Sequence, residues 1–192
     1  MDALRTVLLL GTALATSGSG AETVLLFEPA HTEIHWTLNT VMHTVHGTFH
    51  LRSGSVHFDP ATGKAWGELI VDAASGESGS DSRDARMRKS ILEAPKFPAI
   101  VFIPDRVEGA IPAAGAGTVK VHGAFKLHGA DHEFVLPVQV NVQPSSISTS
   151  SRFTIPYLAW GLKNPSTFVL RVSDKVEIDL KATGRVELNG SR

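Results

Sequence analysis

Residues 80–98, SDSRDARMRKSILEAPKFP, crowd Arg83, Arg86, Arg88 and Lys89 into one short run, with Lys96 following. Arginine forks of this kind grip a phosphate or carboxylate through paired N–H donors. Histidine is the second chemically able residue type. His31 and His35, and His46 and His50, each recur at i, i+4, and His43 stands three residues before His46. On a helix that spacing would offer a metal pair. On a strand, i and i+4 share a face but lie ~13 Å apart, too far for one metal. His35, His50 and His57 fall on the polar side of alternating segments, whereas His43 and His46 fall between strands and are the better metal or haem candidates. No metal ligand is assigned. Asp72, Glu77, Asp81 and Asp84 are scattered through an expected loop and helix. The chain has no Gly-x-Ser-x-Gly elbow and no His-Glu-x-x-His pair. No catalytic residue is therefore assigned, and the expectation is a protein that is not an enzyme.

The elements around these residues are mostly strands. HTEIHWTLN sends Ile34, Trp36 and Leu38 to one face. TFHLRSGSVHF places Phe49 and Leu51 on one face, then Val56 and Phe58 after an expected Ser-Gly-Ser turn. FVLPVQVNV aligns Phe134, Leu136 and Val138, and DKVEIDLKA aligns Ile178 and Leu180 against Lys175, Glu177, Asp179 and Lys181. GELIVDA, PAIVFIP, TVKVHGAFKLHG, SSRFTIPYL and TFVLRV complete the set. One-sided alternation predicts antiparallel sheet, and this many strands predicts a sandwich or barrel. Pro137 marks a bulge or an edge. The basic segment breaks the pattern. Asp81 is the expected N-cap, Met87 and Ile91 share a face, and Pro95 ends the run, which gives one short amphipathic helix near residues 82–93. Such a helix can cover one end of a barrel.

Composition bounds the rest. The chain has 192 residues and a net charge of −1, which suits one globular domain and excludes a general nucleic-acid binder. It has no cysteine, hence no disulfide and no thiolate metal site. MDALR followed by TVLLLGTALA and small residues reads as a signal peptide over 1–21. Cleavage falls after Ala21 or Ala15, leaving 22–192 as one mature domain in the periplasm or outside the cell. The apolar run is too short to span a bilayer, so no stable membrane insertion is expected.

Five motifs stand in one order. They are FEPAHTEIHW (Glu28, His31, Thr32); VHGTFHLRSGSVHFDP (Gly47, Phe49, Gly54, Val56, Phe58, Asp59); and SRDARMRKSILEAPKFPAIVF (Arg83, Asp84, Phe97, Pro98, Phe102). VHGAFKLHGADHEFVLPV (Gly123, Phe125, Leu127, His128, Gly129) and AWGLKNPS with VSDKVEIDLKA follow. In these the chain resembles the YceI-like family of polyisoprenoid-binding proteins, from about Leu26 to Leu188. One departure is Pro156-Tyr157, where the family often has arginine.

The resemblance implies an all-β, eight-stranded antiparallel lipocalin-like barrel holding a lipid. Eight strands leave room for one small ligand. The expected ligand is a polyisoprenoid or isoprenoid quinone, carried or stored in the cell envelope, with no cofactor. Expected lumen residues are Ile34, Trp36, Leu38, Phe49, Leu51, Val56, Phe58, Leu69, Val71, Phe102, Phe125, Leu127, Phe134, Leu136, Val138, Phe153, Phe168, Leu170, Ile178 and Leu180. Arg83 and Arg86 are the candidate headgroup contacts, and a homodimer is the assembly kept open. The competing expectations are a metal- or haem-binding or stress-related barrel without lipid, and a lipid-modifying enzyme.

Overall fold

The structure, a computed structural model, describes residues 22–166 and 171–189. Nine strands form one antiparallel sheet: β1 (Glu22–Asn39), β2 (Thr44–Phe49), β3 (Leu51–Phe58), β4 (Ala65–Asp72), β5 (Ala99–Glu108), β6 (Gly115–Leu127), β7 (Ala130–Val142), β8 (Ser146–Ile155) and β9 (Val176–Asn189). The barrel nevertheless has eight staves, because β2 and β3 share one. Only His50 separates them, and they pair with successive halves of β1, β2 along Ile34–Asn39 and β3 along Thr23–Phe27. The other edge of β1 pairs with β9 from Glu22 to Thr37, which closes the barrel.

Bulges keep the inner face apolar across changes of parity. On β1 the pairing to β9 jumps from Phe27↔Gly184 to Thr32↔Ala182. The intervening residues loop out, and the Thr32 hydroxyl donates to the Glu28 carbonyl at 2.9 Å. Phe27 and Ile34, seven positions apart, can then both be buried; a regular period of two would put them on opposite faces. A second bulge lies between Leu51 and Ser53 on β3. The expected Ser-Gly-Ser turn is therefore a bulged strand. Its function is the one expected of the turn, since it carries the inward set from Leu51 to Gly54.

β1 is also longer than its alternation predicts. Residues 22–30 were not expected to be strand, because the bulge hides the period. Pro137 pairs with Lys120 without a shift in register, but the β7–β8 ladder begins only at Gln139. The edge reading of this proline therefore holds on its β8 side, where the Ser151 hydroxyl donates to the Pro137 carbonyl at 2.7 Å. SSRFTIPYL is strand only to Ile155, and Pro156 to Gly161 turn back over the open seam. TFVLRV falls largely outside the described residues.

One end of the barrel is packed. Val119, Val140 and Ile147 form a buried cluster there, against Val107, Val121, Val138 and Val186. The other end is covered by α1 (Asp81–Arg86), which continues as a wider π turn over Met87–Ile91. Its N-cap is Ser80 rather than Asp81, and Ser80 makes no side-chain cap bond.

Gly47 shows how tightly the covering segment meets the strands. A Cβ there would lie 2.1 Å from the Glu77 carbonyl oxygen and 2.3 Å from the Trp36 ring. Thr48 and Glu77 exchange backbone hydrogen bonds at 2.9 and 3.1 Å, so the contact cannot open cheaply. Gly47→Ala is expected to lower stability by roughly 1–3 kcal/mol through overpacking. Urea denaturation followed by tryptophan fluorescence measures this, and an unchanged midpoint would contradict it.

Candidate functional site

Inside the barrel lies a cavity of about 460 Å³, within the range of ~300–1,000 Å³ typical of ligand pockets. β1 lines it from Thr32 to Thr40, which at ~3.3 Å per residue is about 26 Å of strand. For strands tilted about 40° the lumen is then on the order of 20 Å deep. It opens at the end covered by α1, where Arg83, Arg86, Met87 and Ile91 present one helix face to it. The spacing i, i+3, i+4, i+8 puts them on that face, so the expected placement of Met87 and Ile91 holds.

Of the expected lumen residues, Ile34, Trp36, Leu38, Phe49, Leu51, Leu69, Val71, Phe102, Phe125, Leu127, Leu136, Phe153, Ile178 and Leu180 line the cavity. Val56, Phe58, Phe134 and Val138 do not. Alternation tells which face a side chain takes, but not how far along the barrel it sits. Val138 packs into the closed end, Val56 packs beneath Phe27, Ile34 and Leu51, and Phe58 is buried where β3 ends. Phe134 points inward but is taken up by an aromatic cluster, with ring centroids 5.9 Å from Phe125, 5.6 Å from Phe153 and 5.7 Å from Trp160. Phe168 and Leu170 lie outside the described residues.

Sequence reasoning missed several lining groups, among them Phe27, Val45, Ile100, Tyr157 and Leu162, whereas Val176 and Ala182, read as inward-facing on their strand, do line the cavity. Phe27 was hidden by the bulge, and Tyr157 and Leu162 belong to a turn with no period to read.

The hydroxyls that line the lumen are all engaged with backbone carbonyls. Thr32 donates to Glu28 at 2.9 Å, Thr40 to His43 at 2.6 Å, Thr149 to Ala182 at 3.1 Å and Tyr157 to Ser173 at 2.5 Å. Burial, with a smaller contribution from Asp174, pushes the Tyr157 phenol up to about 12, so it remains a neutral donor. The Trp36 indole N–H reaches the Thr48 carbonyl at 3.3 Å. The depth of the lumen therefore offers a ligand only apolar contact. Charge enters at the mouth alone, where Arg83 and Arg86 are the formally charged lining residues and no carboxylate joins them.

The two arginines are not equivalent. Arg83 is tethered, with Nε donating to the Ser78 hydroxyl at 2.7 Å and Nη2 to the Ser78 carbonyl at 2.8 Å. Among the described residues Arg86 has no ion-pair partner, whereas Arg52, Arg152 and Arg185 do.

Asp84 anchors this helix from beneath. It is 5% exposed and accepts from the Ser78 N–H at 3.1 Å and from the Ser78 hydroxyl. Burial would raise its pKa, but the Ser78 hydrogen bonds and the charges of Arg83 and Arg88 outweigh it and hold the carboxyl below its usual 3.8. Glu93 fixes the far side of the covering segment. It meets His128 Nε2 at 2.6 Å and Lys163 Nζ at 3.4 Å. His128 and Gly129 both have positive φ, 53° and 80°, as a two-residue hairpin turn requires.

The histidines do not converge. His46 pairs with Thr37 at 3.0 Å, His122 with Glu108 at 2.9 Å, and His57 with Glu22. Among the described residues no three His, Asp or Glu side chains are placed to hold a metal ion. His43 lines the cavity mouth without His46.

The site is thus a deep apolar lumen with a basic mouth inside an antiparallel eight-staved barrel, an arrangement suited to an apolar guest. A family model for the YceI-like domain matches residues 26–184, and the chain belongs to that family. No curated protein sequence matches it. The barrel is similar to BcnA of Burkholderia cenocepacia (19% identity, 82% of this chain and 98% of that one, TM-score 0.66). It is also similar to a polyisoprenoid binding domain from Saccharophagus degradans implicated in plant cell wall breakdown (16% identity, 85% and 98%, TM-score 0.63). A third similar structure is the YceI protein of Campylobacter jejuni (13% identity, 96% and 92%, TM-score 0.55). Among the described residues no helix is long and apolar enough to cross a membrane.

Because the folded Asp84 carboxyl is more acidic than the unfolded one, its contribution to stability is present above pH 3.8 and is lost as pH falls through the lowered value. Asp84→Asn is expected to cost about 1.5–3 kcal/mol at neutral pH and to flatten the acid limb of stability. Thermal melts from neutral to acid pH check this; parallel acid limbs for the two proteins would contradict it.

Proposed function

We propose that this chain is a carrier that holds the isoprenoid tail of a lipid in its lumen, for transport or storage in the cell envelope. The observation that carries the reading is the lining. Every hydroxyl along it already donates to a backbone carbonyl, so an acceptor group on a ligand would lose its hydrogen bonds to water and find no free hydroxyl donor in the depth of the lumen. An isoprenoid chain loses nothing in this way, and each CH₂ it buries contributes ~0.8 kcal/mol. Family membership, and the description of the Saccharophagus domain as polyisoprenoid binding, support the same reading.

Arg83 and Arg86 are the proposed headgroup contacts. Arg86, without an ion pair among the described residues, supplies the free fork, and Arg83 sits beside it in a fixed pose. Two cations at the rim with no lining carboxylate favour an isoprenoid phosphate over a neutral quinone. The fourteen expected residues that line the cavity are the proposed tail contacts. Export by a signal peptide over 1–21 belongs to the same proposal. One chain lines the whole cavity, so a homodimer would leave each site complete.

Native mass spectrometry of protein purified from its own envelope fraction, with fragmentation of the ejected ligand, tests the reading. One isoprenoid lipid per chain is expected. Leu136→Trp, which fills the lumen, is expected to reduce loading by tenfold or more. Arg86→Glu is expected to weaken polyprenyl phosphate binding by about tenfold, the scale of one charge-assisted hydrogen bond, and to leave neutral polyprenol unaffected. A bare protein mass that stays bare after incubation with both lipids would overturn the proposal.

A further inference from the structure

We infer that the rim of the cavity mouth is a docking surface for an anionic lipid bilayer, the surface from which the barrel draws its ligand; this rests on the carrier reading above. Val41 and Met42 are 69% and 75% exposed and adjacent in the turn between β1 and β2. The residues on either side of them, Thr40 and His43, both line the cavity, so this apolar tip stands at the opening itself.

The turn that presents them is tied down. The Thr40 hydroxyl donates to the His43 carbonyl at 2.6 Å and accepts from the N–H groups of Met42 and His43 at 3.3 and 3.0 Å. The Val41 N–H donates to the Arg171 carbonyl at 3.2 Å. Two apolar side chains are thus held in water by a well-bonded loop that could equally hold polar ones.

The setting of the tip is cationic. Arg171 is exposed beside Val41, and Arg86 and Lys89 are exposed on the covering helix at the same end. Several carboxylates of this end are engaged. Asp72 lies 3.6 Å from Arg52, Asp84 is bonded to Ser78, and Glu93 is bonded to His128 and Lys163. Asp81 and Asp174 are exposed there too, so the attraction is salt-sensitive rather than strong.

A bilayer fits this surface better than a protein partner does. A specific protein interface buries about 1,200–2,000 Å², far more than a two-residue tip can anchor. A small apolar tip beside Arg171, with Arg86 and Lys89 exposed at the same end, suits the interface of an anionic leaflet, with Glu77, Asp81 and Asp174 limiting the attraction. Docked in this way, the mouth faces the medium in which an isoprenoid lipid dissolves, and the tail can enter without crossing water.

Flotation with vesicles of phosphatidylcholine, with and without phosphatidylglycerol, at low and high salt, tests this. Farnesyl phosphate binding in vesicle-free solution is measured alongside. Wild-type protein is expected to float with the phosphatidylglycerol vesicles at low salt only. Val41→Asp/Met42→Asp and, separately, Lys89→Glu/Arg171→Glu are expected to lose about tenfold or more of that binding while still taking farnesyl phosphate. Trp66→Ser, which changes an exposed apolar residue just past the β3–β4 turn, is expected to float as wild type does. Wild-type protein that stays unbound, or a Val41/Met42 variant that floats equally well, would overturn the docking surface and leave the carrier reading intact. Flotation as expected with no farnesyl phosphate uptake by any form would support the docking surface and count against the carrier.

Discussion

The barrel depends on one strand that pairs along both edges. β1 runs the height of the wall, with β2 and β3 on one side and β9 on the other. Closure removes the edges that an open sheet would expose to other chains. It also forces a choice on every side chain, since each must face either lumen or solvent. A strand of that length cannot keep a strict period of two and remain apolar inside. The bulges at Glu28–His31 and near Arg52 resolve the conflict by resetting the parity where the sequence changes phase. The first motif of the family resemblance, with Glu28, His31 and Thr32, therefore has an architectural use here. Thr32 closes the bulge onto the Glu28 carbonyl, and the Glu28 carboxylate pairs with Arg185 across the seam.

The same distinction between architecture and function holds at the mouth. Asp84, Phe97, His128 and Gly129 stand in the motifs of the family resemblance, yet together with Glu93 they form the frame that holds the covering segment in place. Phe97 packs against the His128 ring at 4.5 Å, and a Cβ on Gly129 would meet the Phe97 ring at 2.6 Å. Both ends of the covering segment are clamped in this way, one by the buried Asp84 carboxylate and the other by the Glu93–His128 pair. Between the clamps lie the residues that face the lumen, Arg83, Arg86, Met87 and Ile91. The π turn over Met87–Ile91 widens the helix where it faces the cavity, a placement such turns often have at functional sites.

Alternation in the sequence identified the lumen wall well wherever a strand stays in phase. Ile178 and Leu180 on β9, and Phe102, Phe125 and Leu127 on β5 and β6, all line the cavity as their periods predict. Even Leu69 and Val71 do so, although Ile70 between them is equally apolar. What alternation cannot carry is position along the barrel axis, which is why Val138 and Phe58 face inward but fall in the packed end. Nor can it see segments whose place is set by closure alone. Tyr157 is the clearest case. It stands where the family often has arginine, yet it lies under the returning turn with its hydroxyl on the Ser173 carbonyl, and it contributes an apolar ring to the lumen.

The remaining question is why the lumen is hollow when the chain has aromatic residues enough to fill it. Phe125, Phe134, Phe153 and Trp160 gather on one side, beside the seam between β7 and β8, and Trp160 stacks on His132 with centroids 4.1 Å apart. That cluster seals a gap in the hydrogen-bonded wall instead of filling the barrel. The opposite wall, from β1 through β4, mixes aliphatic side chains with the rings of Phe27, Trp36 and Phe49 around the cavity. An unfilled apolar void costs ~24 cal/mol per Å³ in lost packing. The cavity is open at its mouth, so solvent can reach it, but the side chains along its apolar wall still lack the neighbours that a packed core would give them. A fold can tolerate such a deficit only if its hydrogen-bonded wall is unusually complete or if an apolar guest supplies the missing contacts. The ladders on both edges of β1 supply part of the first, interrupted at the Glu28–His31 bulge and offset by the open β7–β8 seam. A lining that is apolar in its depth, with its only formal charges at the entrance, is suited to the second.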